Sequence, residues 1–194
     1  MIIEAIVTTT NENGSPNISP MGPFVEKSFE SFELRPFLGS QTLENLRRRG
    51  EGVVHLIDDA LLFVNSVTHQ WPELPPLQLA TVVSAPMLKE YLRAFEFKTK
   101  FFDESSNRIS ITCETVEQHL GRPPRGLCRG LNAVVEACIL ISRVDFLPRE
   151  EIDGQLPSLQ KIVEKTGGPR DREAMALLMR HYASLLVTGS PNRV

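Results

Sequence analysis

Excess positive charge is the first thing this sequence lacks: 21 Lys and Arg stand against 24 Asp and Glu, giving a formal net charge of -3 and a pI near 5.9. That balance provides no field to draw nucleic acid or an anionic membrane surface, and both are excluded as partners. Cysteines number only three, Cys113, Cys128 and Cys138, dispersed and without a CxxC pair. Free thiols in a reducing compartment fit that spacing better than a disulfide framework, so the expected location is the cytoplasm. MIIEAIVTTT has no basic leader, and the most apolar later run, LNAVVEACILI, is interrupted by Glu136 and too short to cross a bilayer. Neither export nor anchoring is expected.

Several catalytic signatures are also missing. The sequence has no GxGxxG, no P-loop, no GxSxG elbow and no HExxH, and His55, His69, His119 and His181 show no metal-ligand spacing. Hydrolytic and zinc chemistry lose support, no metal is expected, and the histidines read as satisfied polar side chains. No internal repeat or low-complexity tract is present.

The chain does carry a β-rich first part and a helical second part. Residues 2–10 and 15–25 form a first hairpin around Asn13-Gly14, read as a tight two-residue turn, and residues 29–35 form a third strand. A helix over 41–49 starts at Ser40 and stops at Gly50. Residues 52–56 return as a buried strand, Asp58-Asp59 cap a short helix through 61–64, and the proline-rich HQWPELPPLQ is a loop. A second hairpin pairs 96–102 with 108–115 across DESSN. Beyond GRPPRG, at 121–126, the apolar period becomes helical. Three stripes follow: Leu131, Val134, Val135, Cys138 and Ile141; Leu159, Ile162 and Val163; Met175, Leu178, Met179, Leu185 and Leu186. Two domains are expected, 1–122 and a helical region 123–194 packing on it.

Two stretches pose functional questions. In NENGSPNISPMGP the return strand carries Pro16, Pro20 and Pro23, with small polar Asn17 and Ser19 where a core strand would place Val or Ile. In LRPFLGSQTLENL a glycine loop leads into a helix whose first turn bears Ser40 and Thr42. Free amides and the positive end of the helix dipole make such a start a ready anion site, for which Arg35 could supply charge. For that stretch on its own, simple capping by Ser40 is the favoured reading.

Together, VTTTNENGSPNISPMG, RPFLGSQTLENL and GEGVVHLIDDALLFV resemble the flavin reductase-like split barrel, and more closely an uncharacterised prokaryotic family of FMN-binding proteins. The likeness extends into RPPRGLCRGLNAVVEACILISRV. It implies a β-rich α+β chain: a six-stranded antiparallel split β-barrel followed by a C-terminal helical segment, usually dimeric, with non-covalent FMN near the dimer interface. It places Ser40, Thr42 and Asn45 at the phosphate and ribityl chain with Arg35 as charge partner, and Asn17, Ser19 and Met21 along the ring, their main-chain groups meeting its polar edge. Arg125 and Arg129 flank a helix start that could close the site, although plain solvation suits Arg125. Cys128 stands where asparagine is expected in such a family, and His55 where asparagine or a small residue is.

The function implied is that of an FMN-dependent oxidoreductase using a small-molecule electron donor or acceptor, in which the flavin performs the transfer and no catalytic dyad is needed. A non-catalytic FMN or heterocycle carrier, sensor or accessory protein is the alternative from another class, and a flavin-free structural homodimer is the third.

Overall fold

The computed structural model describes residues 1–105 and 109–188. The chain divides into two compact units: residues 1–57 with 73–124, and residues 58–72 with 125–194. The helix expected at 61–64, found as α2 (Ala60–Thr68), belongs to the second unit rather than to the β-rich part.

The first unit is built on one antiparallel sheet. Its strands are β1 (Ala5–Thr10), β2 (Pro16–Met21), β3 (Phe24–Val25), β4 (Ser31–Leu34), β5 (Glu51–Leu56), β8 (Arg93–Asp103) and β9 (Ser110–Leu120), in the order β2-β1-β5-β8-β9-β4-β3. The sheet rolls up on itself. Ile2, leading into β1, bridges Phe24 of β3, so the β3 end of the strand order returns to the β1 side of the sheet. With β2 and β3 taken as one strand bent at Gly22-Pro23, the seven become the six of the expected barrel. A small hairpin, β6 (Leu77–Leu79) and β7 (Pro86–Leu88), starts at the end of the expected loop and runs through residues given no element from sequence.

The β1–β2 connection differs from the two-residue turn expected. Gly14 N donates to Asn11 O at 3.0 Å and Asn11 N to Ser15 O at 2.9 Å, and only Gly14 has positive φ, at 84°. This is a three-residue loop ending in a left-handed glycine, which spares Asn13 a strained backbone. The turn expected at DESSN lies partly outside the described residues, as does Arg108, the expected start of the second strand there.

Strand register answers the question posed by the prolines. Asn11 N→Ser15 O, Ile3 N→Pro23 O and Val25 N→Met1 O identify the odd-numbered pairs as the hydrogen-bonded ones. By antiparallel alternation, Asn17, Ser19 and Met21 therefore bond β1, while positions 16, 18 and 20 turn their main-chain groups toward the strand's unpaired side. Pro16 and Pro20 thus remove no bond from the ladder.

Inside the roll, Ala5, Val7, Phe32, Leu34, Phe95, Phe97 and Ile111 are buried together, with the Phe29 and Phe95 rings stacked at 4.2 Å. Helix α1 (Gln41–Arg49) adds Leu43 and Leu46, both fully buried. Each such side chain contributes about 1.5–3 kcal/mol of burial. The expected caps hold at both ends: Ser40 Oγ accepts from Leu43 N at 3.3 Å, and Gly50, at φ 64°, returns its N–H to Leu46 O.

The second unit comprises α2, α3 (Arg129–Ile141), α4 (Arg149–Thr166) and α5 (Pro169–Thr188). Asp59 caps α2 through the Leu61 and Leu62 amides and pairs with Arg170 at 2.6 Å. The α3 stripe buries Val134, Cys138 and Ile141 as expected. On α4, however, Ile152 and Leu156 are buried with Val163 while Leu159 and Ile162 are partly exposed, and on α5 Ala174 and Tyr182 replace Leu185 and Leu186. The helices begin earlier than the stripes implied, which shifts the buried face. Among the described residues no helix is long and apolar enough to cross a membrane.

Candidate functional site

Odd-numbered residues of β1 and β2 face the interior of the roll. Ala5, Val7 and Met21 are apolar, but near the β1–β2 loop the positions become Thr9, Asn17 and Ser19, and helix α1 lays its polar flank against them. Asn17 Nδ2 reaches Thr42 Oγ1 at 3.0 Å and Thr9 Oγ1 at 3.1 Å. Thr42 Oγ1 donates to Ser19 Oγ at 3.0 Å. Asn45 Nδ2 donates to Thr9 Oγ1 and Asn11 Oδ1, each at 2.9 Å, and its Oδ1 accepts from Gln41 Nε2 and Arg48 Nη2, also at 2.9 Å. Arg48 Nη2 also donates to Thr10 O at 2.6 Å. The result is a connected corner of hydroxyls and carboxamides, with Thr9 and Asn45 wholly buried and Thr42 2% exposed.

The corner is electrically neutral apart from Arg48. It offers donors and acceptors but no acid or base that titrates near neutral pH. At its margin lies the start of α1, where the Gln41 and Thr42 amides have no intrahelical acceptor. An open depression of about 920 Å³ adjoins it, reaching from Gln41 along α1 to Arg47 and Arg48 and bounded by Asn11, Glu12 and Asn13 of the β1–β2 loop.

The seven residues singled out from sequence separate into four placements. Asn17, Ser19, Thr42 and Asn45 are joined by hydrogen bonds. Ser40 stands at the same helix start as its cap, and Met21 packs against the apolar core. Arg35 is not brought to the corner: it pairs with Glu33 on the outer side of β4 and lies over the Phe24 ring at 5.6 Å. One expectation is corrected outright. The main-chain groups of Asn17, Ser19 and Met21 bond β1 and are not free for a ligand, because their positions fall on the bonded side of the ladder. Sequence reading missed Thr9, Asn11, Gln41 and Arg48. The alternation of Val7 inward would have placed Thr9 inward too, and Gln41 and Arg48 stand four residues before and three residues after Asn45, at helical spacing.

The outer face of the sheet carries a second buried polar centre, with side chains from β5, β8 and β9. Glu96 on β8 is fully buried, and its carboxylate accepts from the amides of Thr81, Val82 and Val83 at 2.6, 2.6 and 2.8 Å and meets His119 Nε2 at 2.7 Å. Burial alone would raise its pKa, but the three amides and the imidazole outweigh that and hold it below the ordinary value. His55, also fully buried, places Nδ1 3.2 Å from Ile6 O and accepts from Leu88 N on Nε2. Desolvation pushes its pKa down to about 3, so the ring is neutral and pins the β6–β7 hairpin to the barrel. Among the described residues no group of three or more His, Cys, Asp and Glu is placed to hold a metal ion.

Comparison with known proteins bears on both parts of the chain. Three solved structures share its architecture. The FMN-bound protein MM1853 of Methanosarcina mazei superposes with a TM-score of 0.81 at 23% identity, over 93% of this chain and 94% of that one. The flavin reductase of the styrene monooxygenase from Pseudomonas putida S12 gives 0.51 at 14% identity, over 60% and 77%. The FMN-binding protein from Thermus thermophilus gives 0.52 at 16%, over 64% and 78%. The barrel is therefore a flavin reductase-like split barrel, and the whole-length match includes the helices that follow it. Residues 3–122 match the model of the N-terminal domain of a protein of unknown function (DUF447), and residues 128–180 match a second model of that protein of unknown function. Barrel and helices both matched, the chain belongs to the DUF447 family.

Proposed function

We propose that this protein binds FMN non-covalently and uses it as an oxidoreductase. The observation that carries the reading is the whole-length likeness to an FMN-bound protein, which spans barrel and helices together. The chain's own donor set suits the ligand. First-turn amides at Gln41 and Thr42, beside the hydroxyls of Ser40 and Thr42 and the carboxamide of Asn45, form a neutral hydrogen-bonding wall for a polyol chain and a phosphate. Asn17 and Ser19 fix the orientation of Thr42, and Met21 keeps the neighbouring wall apolar. Arg35 is the proposed counter-charge to the phosphate, for which it would exchange its present partner Glu33. When bound, the flavin supplies the acceptor for a hydride or for single electrons, so the protein's part is to bind, orient and exclude water. A homodimer belongs to the same reading, and sedimentation at micromolar concentration showing only a 21.7 kDa species would remove it.

The test compares FMN with riboflavin, which has no phosphate. Thr42→Ala combined with Arg35→Ala should weaken FMN at least tenfold while changing riboflavin little, since charge-assisted contacts to an anion contribute about 1.5–3 kcal/mol. Equal losses for both ligands reject the phosphate assignment. Bleaching of the bound flavin by NADH or NADPH separates an oxidoreductase from a carrier; a yellow protein inert to both is the latter.

A further inference from the structure

Among the asparagines of the sequence, only Asn13 is followed by glycine. The pair stands at the tip of the β1–β2 loop, where Glu12, Asn13 and Gly14 are all exposed and the space that a Cβ on Gly14 would take is open. Asn13 Oδ1 accepts from Ser15 N at 3.0 Å and from Ser15 Oγ at 2.7 Å, which folds the carboxamide back along the Gly14 peptide and polarises its carbonyl. Among the described residues its amino group makes no hydrogen bond. The asparagines of the inner corner differ on both counts: Asn17 and Asn45 each give the amino group to Thr9, and Ile18 and Leu46 follow them.

We propose that Asn13-Gly14 is a site of spontaneous covalent modification in the folded protein, at which Asn13 becomes a mixture of aspartate and isoaspartate. A base in solution takes the Gly14 amide proton, and that nitrogen attacks Asn13 Cγ. The N–Cγ bond forms, the Cγ–Nδ2 bond breaks and ammonia leaves, giving a five-membered imide. Water then adds across one of the two imide C–N bonds. Opening at Cγ restores the ordinary chain with aspartate at 13, while opening at the main-chain carbonyl routes the chain through Cβ and Cγ as isoaspartate. Nothing is oxidised or reduced. The two bonds from Ser15 draw electrons from the carbon under attack, and the departing amino group has no partner to hold it. Glycine leaves its nitrogen unshielded by a Cβ. One contact opposes the step: Gly14 N donates to Asn11 O at 3.0 Å and must first be freed. At an exposed loop tip such a bond opens at small cost.

Isoaspartate puts one extra atom into the main chain of a loop closed by Gly14 N→Asn11 O and Asn11 N→Ser15 O. Asn11 also offers Oδ1 to Asn45 and Nδ2 to Ser15, so a displaced loop disturbs the inner corner.

The experiment incubates the whole protein in mildly alkaline buffer, folded and unfolded in guanidinium chloride, and follows the peptide holding residues 13 and 14 by mass. Expected is a gain of about 1 Da in that peptide, with fragment ions of both isoaspartate and aspartate. The folded rate should lie within about tenfold of the unfolded one; a folded rate slower than that overturns the proposal, because the bond to Asn11 would then protect the site. Asn13→Gln, whose longer side chain would have to close a six-membered ring, should show no gain over the same time. A gain that persists in this variant also overturns the assignment. The isoaspartyl fraction, separated by charge, should melt below the unmodified protein; equal melting removes the connection to the corner.

Discussion

One barrel holds two buried polar centres, one on the inner and one on the outer face of its sheet. The inner corner at Thr9, Asn17, Thr42 and Asn45 is built from hydroxyls and carboxamides, each able to donate and accept. The outer centre is built around Glu96, an acceptor-only carboxylate surrounded by three amides and an imidazole, with the neutral His55 nearby. Both satisfy their members, but in different ways. Rotating a hydroxyl exchanges one partner for another at little cost, whereas a buried carboxylate stripped of its donors is severely penalised. The outer centre therefore fixes the chain, and the inner one can rearrange around a ligand.

The comparison is broken most forcefully at Glu96. Glu96→Gln should lower unfolding free energy by about 3 kcal/mol in denaturant titration, because the amide cannot accept from three main-chain donors at once. Its folded pKa lies below the ordinary 4.5, so the stabilisation is complete above that value and disappears as pH falls through the lower folded one. The gap between wild type and variant should accordingly close in acid. A gap independent of pH would show that packing, not charge, holds the 81–83 segment.

His55 sharpens the contrast at milder pH. Its folded pKa of about 3 lies below the unfolded 6.5, so the wild type should lose stability steadily as pH drops from 6.5 toward 3. In His55→Asn that contribution should be lost, leaving the part due to His69, whose burial also lowers its pKa, so urea midpoints at pH 7 and pH 5 should differ by less than in the wild type. No variant of the inner corner should change the slope.

Effects at the inner corner are smaller. Thr42→Val keeps the shape and removes the hydroxyl, which should lower stability by about 1–2 kcal/mol by denaturant titration, since Asn17 and Ser19 each lose a partner. Smallest is Ser40→Ala, about 1 kcal/mol through the lost cap, with thermal unfolding as the readout. An outcome in which Ser40 matters more than Thr42 would mean that the helix end, and not the corner, organises this part of the barrel.

Much of this was legible in the residues. Ser40, Gly50 and Asp59 each mark a helix end by a local rule, because a cap depends on a few neighbouring atoms. Asn45 was identified as a site residue, yet its immediate partners Thr9 and Asn11 were not, since contacts across 34 to 36 positions depend on how strands register. Arg35 illustrates the same limit. Its attraction to Glu33, two residues away on the same face of the chain, competes with any role at the helix start, and sequence order alone cannot weigh the two. The β6–β7 hairpin escaped notice because its fixings come from side chains of distant strands rather than from its own alternation.

The outward-turned prolines of β2 have a further consequence. At Pro16 and Pro20 the barrel's open seam shows carbonyl oxygens without accompanying N–H groups, leaving the Ile18 amide as the lone donor between them. An incoming strand from another molecule would find almost nothing to receive its oxygens, so the seam resists being zipped into a continuous intermolecular sheet while still staying open.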